Sequence, residues 1–172
     1  VHVVGALGVD NIISIPLLTL EELSNLVDLD FNQRVALLTF HPVTLDSYDS
    51  AGKQVQEVLN ALLESDLLVL MTMPNSDTAN GLIYKEMEKF CEKNPNEFKL
   101  VKNLGQRAYL SAMKHSDIMV GNSSSGIIEA PAAKTPTLDI GSRQFGRIKS
   151  SSIFSCDLNI KKIIRSIKII LK

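Results

Sequence analysis

A parallel α/β sheet covered by helices on both faces is the fold class predicted by this sequence of 172 residues. Three observations predict it. Near-continuous apolar runs of strand length recur along the chain, as strands buried on both faces require. Segments with helical apolar spacing lie between them, so strands and helices alternate. The composition, 45% hydrophobic and 22% charged, suits one sizeable core and does not read as disorder.

Residues 1–10 read as a short apolar strand followed by glycines. Thr19 and Glu22 have the spacing of a capping box and open a helix that ends near Leu29. The pattern then becomes regular. Residues 34–40 form the first strand of the sheet and residues 52–63 an amphipathic helix. A second strand spans 67–72, with its helix over 80–91. A weaker third strand at 98–101 precedes a helix over 105–114. The fourth strand is 117–120, with its helix over 127–133. Strands at 137–140 and 152–155 follow, and an apolar, lysine-bearing helix over 160–171 closes the chain. Six strands in this alternation suit a doubly wound, Rossmann-like sheet of order 3-2-1-4-5-6.

That order says where a ligand binds. The crevice of such a sheet lies at the carboxyl ends of the strands, where the order reverses between the first and the fourth. Here those ends are His41-Pro-Val-Thr44 and Gly121-Asn-Ser-Ser-Ser-Gly126. A strand turning through Gly, Asn and Ser into a helix offers free N–H groups and hydroxyls to an anion. Glu129 follows about one turn later, placed for sugar hydroxyls. The same residues also describe an ordinary polar N-cap cluster, and residue type alone leaves the two readings level. The switch-point position, which played no part in placing the strands, favours the cradle.

Other residues carry weaker signals. His41 ends the first strand and is the best placed of the three histidines; His2 and His115 are read as structural. Asn75 follows the second strand, where a turn-forming Asn is ordinary. Arg143 and Arg147 flank a Gln-Phe-Gly loop after the fifth strand and read equally as a phosphate clamp or as solvated charges. Ser123, Ser124 and Ser125 lack the surroundings of a nucleophile and are read as binding donors. No G-x-G-x-x-G follows the first strand, which argues against a nicotinamide dehydrogenase. No His, Cys or Asp cluster has metal-ligand spacing, so neither metal nor cofactor is expected. A net charge of −1 without a basic run makes nucleic acid and membrane surface poor partners. No apolar run approaches a membrane span and no signal peptide is visible. Cys91 and Cys156 lack paired spacing, which suits a reduced, cytoplasmic chain. The absence of an initiator Met leads us to expect a piece of something longer.

Three blocks together carry a resemblance: residues 39–44, Gly121 to Ala130, and Thr135 to Arg147. In order and spacing they resemble UDP-N-acetylglucosamine 2-epimerases, most closely the hydrolysing branch that begins sialic- and other nonulosonic-acid synthesis. The likeness covers nearly the whole chain. It implies a GT-B fold, two Rossmann-like domains around a cleft, with this chain as the C-terminal half. Residues 1–30 would cross from a missing N-terminal domain and residues 31–172 would form the UDP-binding domain.

The resemblance further implies that Ser123, Ser124 and Gly126 hold the UDP phosphates and Glu129 the ribose hydroxyls. His41 and Arg143 would line the diphosphate side, with Asn75 nearby, and His41 would assist departure of UDP. Non-hydrolysing relatives typically carry His-Arg-Arg-Glu where this chain has His-Pro-Val-Thr, which favours hydrolysis. The implied reaction is anti-elimination of UDP to a 2-acetamidoglucal, then addition of water to give N-acetylmannosamine or an analogue. The carboxylates for that chemistry belong to the N-terminal domain, so this chain alone is expected to bind nucleotide weakly and turn nothing over. A GT-B glycosyltransferase, a non-hydrolysing 2-epimerase and a nucleotide-sensing module stay open as alternatives, as do the identity of the sugar and homo-oligomer formation.

Overall fold

The computed structural model describes residues 2, 5–41, 48–73 and 80–172. Its strands are β1 (Val35–Thr39), β2 (Leu68–Thr72), β3 (Phe98–Val101), β4 (Ile118–Gly121), β5 (Thr137–Ile140) and β6 (Ile153–Cys156). They form one six-stranded sheet in the order β3-β2-β1-β4-β5-β6, with every neighbouring pair parallel. This is the doubly wound sheet and the strand order expected. The helices are α1 (Leu7–Ser14), α2 (Leu20–Val27), α3 (Tyr48–Leu63), α4 (Asn80–Lys93), α5 (Gly105–His115), α6 (Ser125–Ile128), α7 (Ala130–Ala133) and α8 (Ile160–Ile170).

β1 shows why the strand runs are continuously apolar. Successive side chains of a strand point to opposite faces, and in β1 both faces are covered. Ala36 and Leu38 join a core with Val55, Leu59, Ile83, Met87, Ile163 and Ile167 of α3, α4 and α8. Val35 and Leu37 join a second core with Leu23 and Val27 of α2, Met113 of α5 and Ala130 of α7. Val35, Ala36, Leu37 and Leu38 are all at 0% exposure, so a polar residue at any of them would meet no water. α2 is thus tied to the sheet through Leu23 and Val27.

The capping box that opens α2 forms as expected. Thr19 Oγ1 accepts from the Glu22 N–H at 3.2 Å, and Glu22 Oε2 accepts from the Thr19 N–H at 2.8 Å. Thr19→Ala removes a cap of the kind worth about 1 kcal/mol. A thermal melt should show a fall of about 2–4 °C, the size expected for a chain of this length.

Two segments differ in kind from the sequence reading, and several element ends shift, most of all α3, which begins at Tyr48 and not at 52. The helix expected over 127–133 is two short ones, α6 and α7, joined at Glu129. Pro131 has no N–H to donate to the carbonyl four residues back, so one continuous helix cannot form. Residues 7–14 are helical where a strand and glycines were expected, whereas the strand reading of residues 1–4 lies largely outside the described residues. Gly8 disguises this helix, since glycine counts against helix formation. It packs against the Glu129 side chain: a Cβ at Gly8 would fall 2.1 Å from Glu129 Oε1, so the carboxylate would have to move aside. Finally, β4 starts at Ile118, just after Asp117, whose carboxylate accepts from the Val35 N–H at 2.8 Å and whose own N–H donates to the Val35 carbonyl at 2.9 Å.

Candidate functional site

The carboxyl ends of β1 and β4 lie side by side, with Thr39 opposite Gly121 in the register. The chain leaves β4 through Gly121 at φ +135°, a conformation that L side chains rarely adopt. Asn122 comes next, buried to 1% exposure. Its side-chain Oδ1 accepts from the His41 N–H at 2.7 Å and its Nδ2 donates to the His41 carbonyl at 2.9 Å. Its main-chain carbonyl accepts from Arg143 Nη1 at 3.1 Å and from Gln144 Nε2 at 2.7 Å. His41, the serine loop and the β5 loop are therefore gathered at one residue. Arg147 makes no side-chain bond to this group, so of the two arginines only Arg143 is drawn in.

The serines lead into α6, which is a single turn, so its macrodipole offers little. The donors are local. The N–H groups of Gly126 and Ile127 are engaged by the carbonyls of Ser123 and Ser124, and the Ser125 N–H leans on Ser123 Oγ at 3.4 Å. Those of Ser123 and Ser124 have no acceptor among the described residues, which leaves two N–H groups and the Ser124 hydroxyl for an anion. Gly126 is buried, and a Cβ there would come within 2.9 Å of Thr137 Cγ2. Close packing on β5 is reason enough for that glycine.

A row of hydroxyls runs beneath the loop. Tyr109 Oη lies 2.6 Å from Ser125 Oγ, which is 2.9 Å from Ser123 Oγ. Thr39 and Thr72 share a hydrogen bond at 2.8 Å on the neighbouring strand ends. These groups, with His41 and Lys102, line a cavity of about 410 Å³ at the carboxyl edge of the sheet. Burial pushes the Tyr109 phenol above its ordinary pKa, opposed by its bonds to Ser125 and Thr39. It therefore stays protonated near neutral pH, able to donate and accept. Larger hollows lie elsewhere, one of them lined in part by Asp28, Asp30, Asp66 and Lys99. That hollow includes the residues that lead into β1 and β2, the end of the sheet away from the crevice.

Glu129 stands at the junction of α6 and α7, half-buried against Gly8. Burial raises its carboxyl pKa, while its own backbone N–H pulls the other way. No cation among the described residues pairs with it. An ionised, half-desolvated carboxylate without a counter-ion is costly to keep, and it suits hydroxyl donors brought by a ligand. Asn75 lies outside the described residues. Among those described, no cluster of three His, Cys, Asp or Glu is placed to hold a metal, and no helix is long and apolar enough to cross a membrane.

Comparison with known proteins bears on what these groups serve. The model of the UDP-N-acetylglucosamine 2-epimerase family matches residues 1–172. The chain belongs to that family.

Among its relatives, the GDP/UDP-N,N'-diacetylbacillosamine 2-epimerase (hydrolyzing) of Campylobacter jejuni is 35% identical over 158 residues, 91% of this chain and 41% of the relative. The UDP-N,N'-diacetylbacillosamine 2-epimerase (hydrolyzing) of Legionella pneumophila is 32% identical over 165 residues, 96% of this chain and 43% of the relative. This family member thus spans about two fifths of the length of the curated relatives it matches. Methanocaldococcus jannaschii UDP-GlcNAc 2-epimerase, solved with UDP-GlcNAc and UDP, superposes with TM-score 0.66 at 17% identity. That match takes in 99% of this chain and 48% of the other. At that identity the match speaks for fold alone, and the fold is one Rossmann-like half of a GT-B architecture.

Sequence reasoning pointed to His41, the serines, Glu129 and Arg143. It missed this family member's Tyr109 and Gln144 and took Asn122 chiefly as a strand breaker. Tyr109 lies on a helix that read as ordinary amphipathic packing. A polar Gln between two arginines in a loop carries no signal of burial. Only the mismatch of a buried Asn at a strand end, with its need for partners, hinted at Asn122.

Proposed function

We propose that this chain is the C-terminal, UDP-binding half of a hydrolysing UDP-2-acetamido-sugar 2-epimerase, acting on UDP-N-acetylglucosamine or a diacetamido analogue. The observation that carries the reading is the convergence at Asn122, which brings His41, Arg143 and the serine loop to one crevice. UDP departs readily only if charge developing on its phosphate is met by donors already in place. In this reading the N–H groups of Ser123 and Ser124, the Ser124 hydroxyl and the Arg143 guanidinium meet it. Glu129 accepts from the ribose hydroxyls. His41, at the reacting end, supplies a proton to the departing phosphate. Gly126 lets the loop sit down on β5 and so sets the height of the serines.

The Campylobacter jejuni and Legionella pneumophila relatives, both hydrolysing 2-epimerases by name, together with the His-Pro-Val-Thr run at His41, support hydrolysis over epimerisation on the nucleotide. Proton transfer at C2 and activation of water need carboxylates. These we assign to an N-terminal partner domain reached through residues 1–30, docked on the sheet by Leu23 and Val27. By itself the chain would bind UDP and not turn over. Two free, partly buried cysteines and a nucleotide-sugar substrate suit the cytoplasm.

The test is product analysis with the intact protein and each UDP-sugar. Free UDP with a free 2-acetamido sugar of manno configuration is expected. A product still linked to UDP, or a sugar passed to an acceptor, overturns the reading. Arg143→Ala should lower kcat/KM by about 10²-fold, the loss typical of one missing transition-state donor. Arg143→Lys should recover little of it, because an ammonium lacks the planar fork.

A further inference from the structure

Asn122 joins three loops, and it uses both of its amide groups to do so. In a parallel ladder each rung offers a donor and an acceptor to the neighbouring strand. The backbone pairing of β1 with β4 ends at Thr39 and Gly121. Beyond it, the Asn122 side chain gives an acceptor to the His41 N–H at 2.7 Å and a donor to the His41 carbonyl at 2.9 Å. It is a side-chain rung added past the last backbone one. At 1% exposure, Asn122 has no water to replace these bonds if they are lost.

Its main-chain carbonyl carries two donors that differ in character. Gln144 is buried to 1% exposure and donates at 2.7 Å. The other amide group of Gln144, the buried Oε1, has no partner among the described residues. The bond to Asn122 is therefore what that side chain gains from its position. Arg143 is exposed and donates at 3.1 Å through one of its five N–H groups. Most of its donors remain for a ligand, and Gln144 keeps the carbonyl satisfied if Arg143 swings away.

We propose that Asn122 is a positioning residue: its side-chain amide sets His41 at the crevice, and its carbonyl, held by Gln144, parks Arg143 within reach of a nucleotide phosphate. It touches no reacting atom. The proposal rests on the reading of this crevice as the nucleotide site, and one arm of its test is independent of that reading.

Asn122→Ala and Asn122→Asp are made in the intact protein. The aspartate keeps the volume and the acceptor but loses the donor to His41, so a defect shared by both variants is not an effect of a cavity. Without ligand, hydrogen exchange at the His41 N–H in Asn122→Ala should rise by about tenfold more than at Leu37 in the middle of β1, because only the side-chain rung is lost, and it should rise less in Asn122→Asp, which keeps the acceptor for that N–H. With the UDP-sugar, kcat should fall by about 10²-fold, the penalty of roughly an ångström of misplacement, and by more than KM rises. Exchange that rises equally at His41 and Leu37, or a loss confined to KM, overturns the proposal. If Asn122→Ala fails to fold, Asn122→Leu, which fills the volume and lacks both amide groups, carries the exchange readout and Asn122→Asp the kinetic one. If the wild-type protein fails to bind UDP, the nucleotide reading falls, and the exchange arm still decides whether Asn122 positions His41.

Discussion

Gly121→Ala should be among the most damaging single-methyl changes in this chain. The added Cβ would stand 2.1 Å from the Thr39 carbonyl oxygen and 2.8 Å from its carbon. Both are backbone atoms of the adjacent strand, held by the register of β1 with β4, so neither can turn aside as a side-chain tip would. The φ of +135° adds strain for any residue with a Cβ. Backbone strain of about 1–3 kcal/mol and overpacking of similar size together make a loss of about 3 kcal/mol a moderate expectation. In a thermal melt that is a fall of about 6–12 °C. UDP affinity should fall with it even in the folded fraction, since separating β1 from β4 moves His41 away from the serine loop. A melting point within about 2 °C of wild type would show that the two strands separate at little cost.

Glu129→Gln should move binding and stability in opposite directions. Burial raises the carboxyl pKa of Glu129 in the folded protein, so the native state holds that proton to higher pH than the unfolded chain does. Any stability from this is present below the unfolded carboxylate range and is lost as pH rises through the folded value. At neutral pH the group is ionised in both states, and its partial desolvation is a net burden on the fold. The neutral amide removes that burden. Glu129→Gln should melt at or above the wild-type temperature near pH 7.5, with the advantage shrinking towards pH 4.5. Meanwhile UDP should bind about ten- to hundredfold more weakly, the loss expected for hydrogen bonds to a charged acceptor. Calorimetry at the two pH values with a UDP titration reads both effects. Unchanged affinity would remove Glu129 from the ribose, and a lower melting point at neutral pH would mean that the carboxylate supports the fold.

How much of this was readable before the structure depends on the range of the interaction. Thr19 and Glu22 are three residues apart, and the box they form was plain from the sequence. The β4 loop was recognisable for the same reason, since Gly121 to Gly126 is contiguous. The break between α6 and α7 was written in Pro131 and was passed over because the small apolar residues around it favour a helix. α1 was obscured by Gly8, whose contact with the Glu129 side chain is visible only in the folded chain. The roles of Arg143 and Arg147 were indistinguishable by type and spacing, because the carbonyl that selects Arg143 belongs to a residue 21 positions away.

By itself, then, the sequence determined the alternation of strands and helices and the six-strand order. Those follow from local apolar periodicity and from the chirality of parallel crossovers, both properties of short stretches. Only the tertiary structure decided that Asn122 is the joint of the site, that Tyr109 enters it from α5, and that no cation among the described residues pairs with Glu129. The bonds between Asn122 and His41 span 81 positions. No short stretch encodes such a pairing, since it exists only after β1 and β4 lie side by side and bury the amide between them.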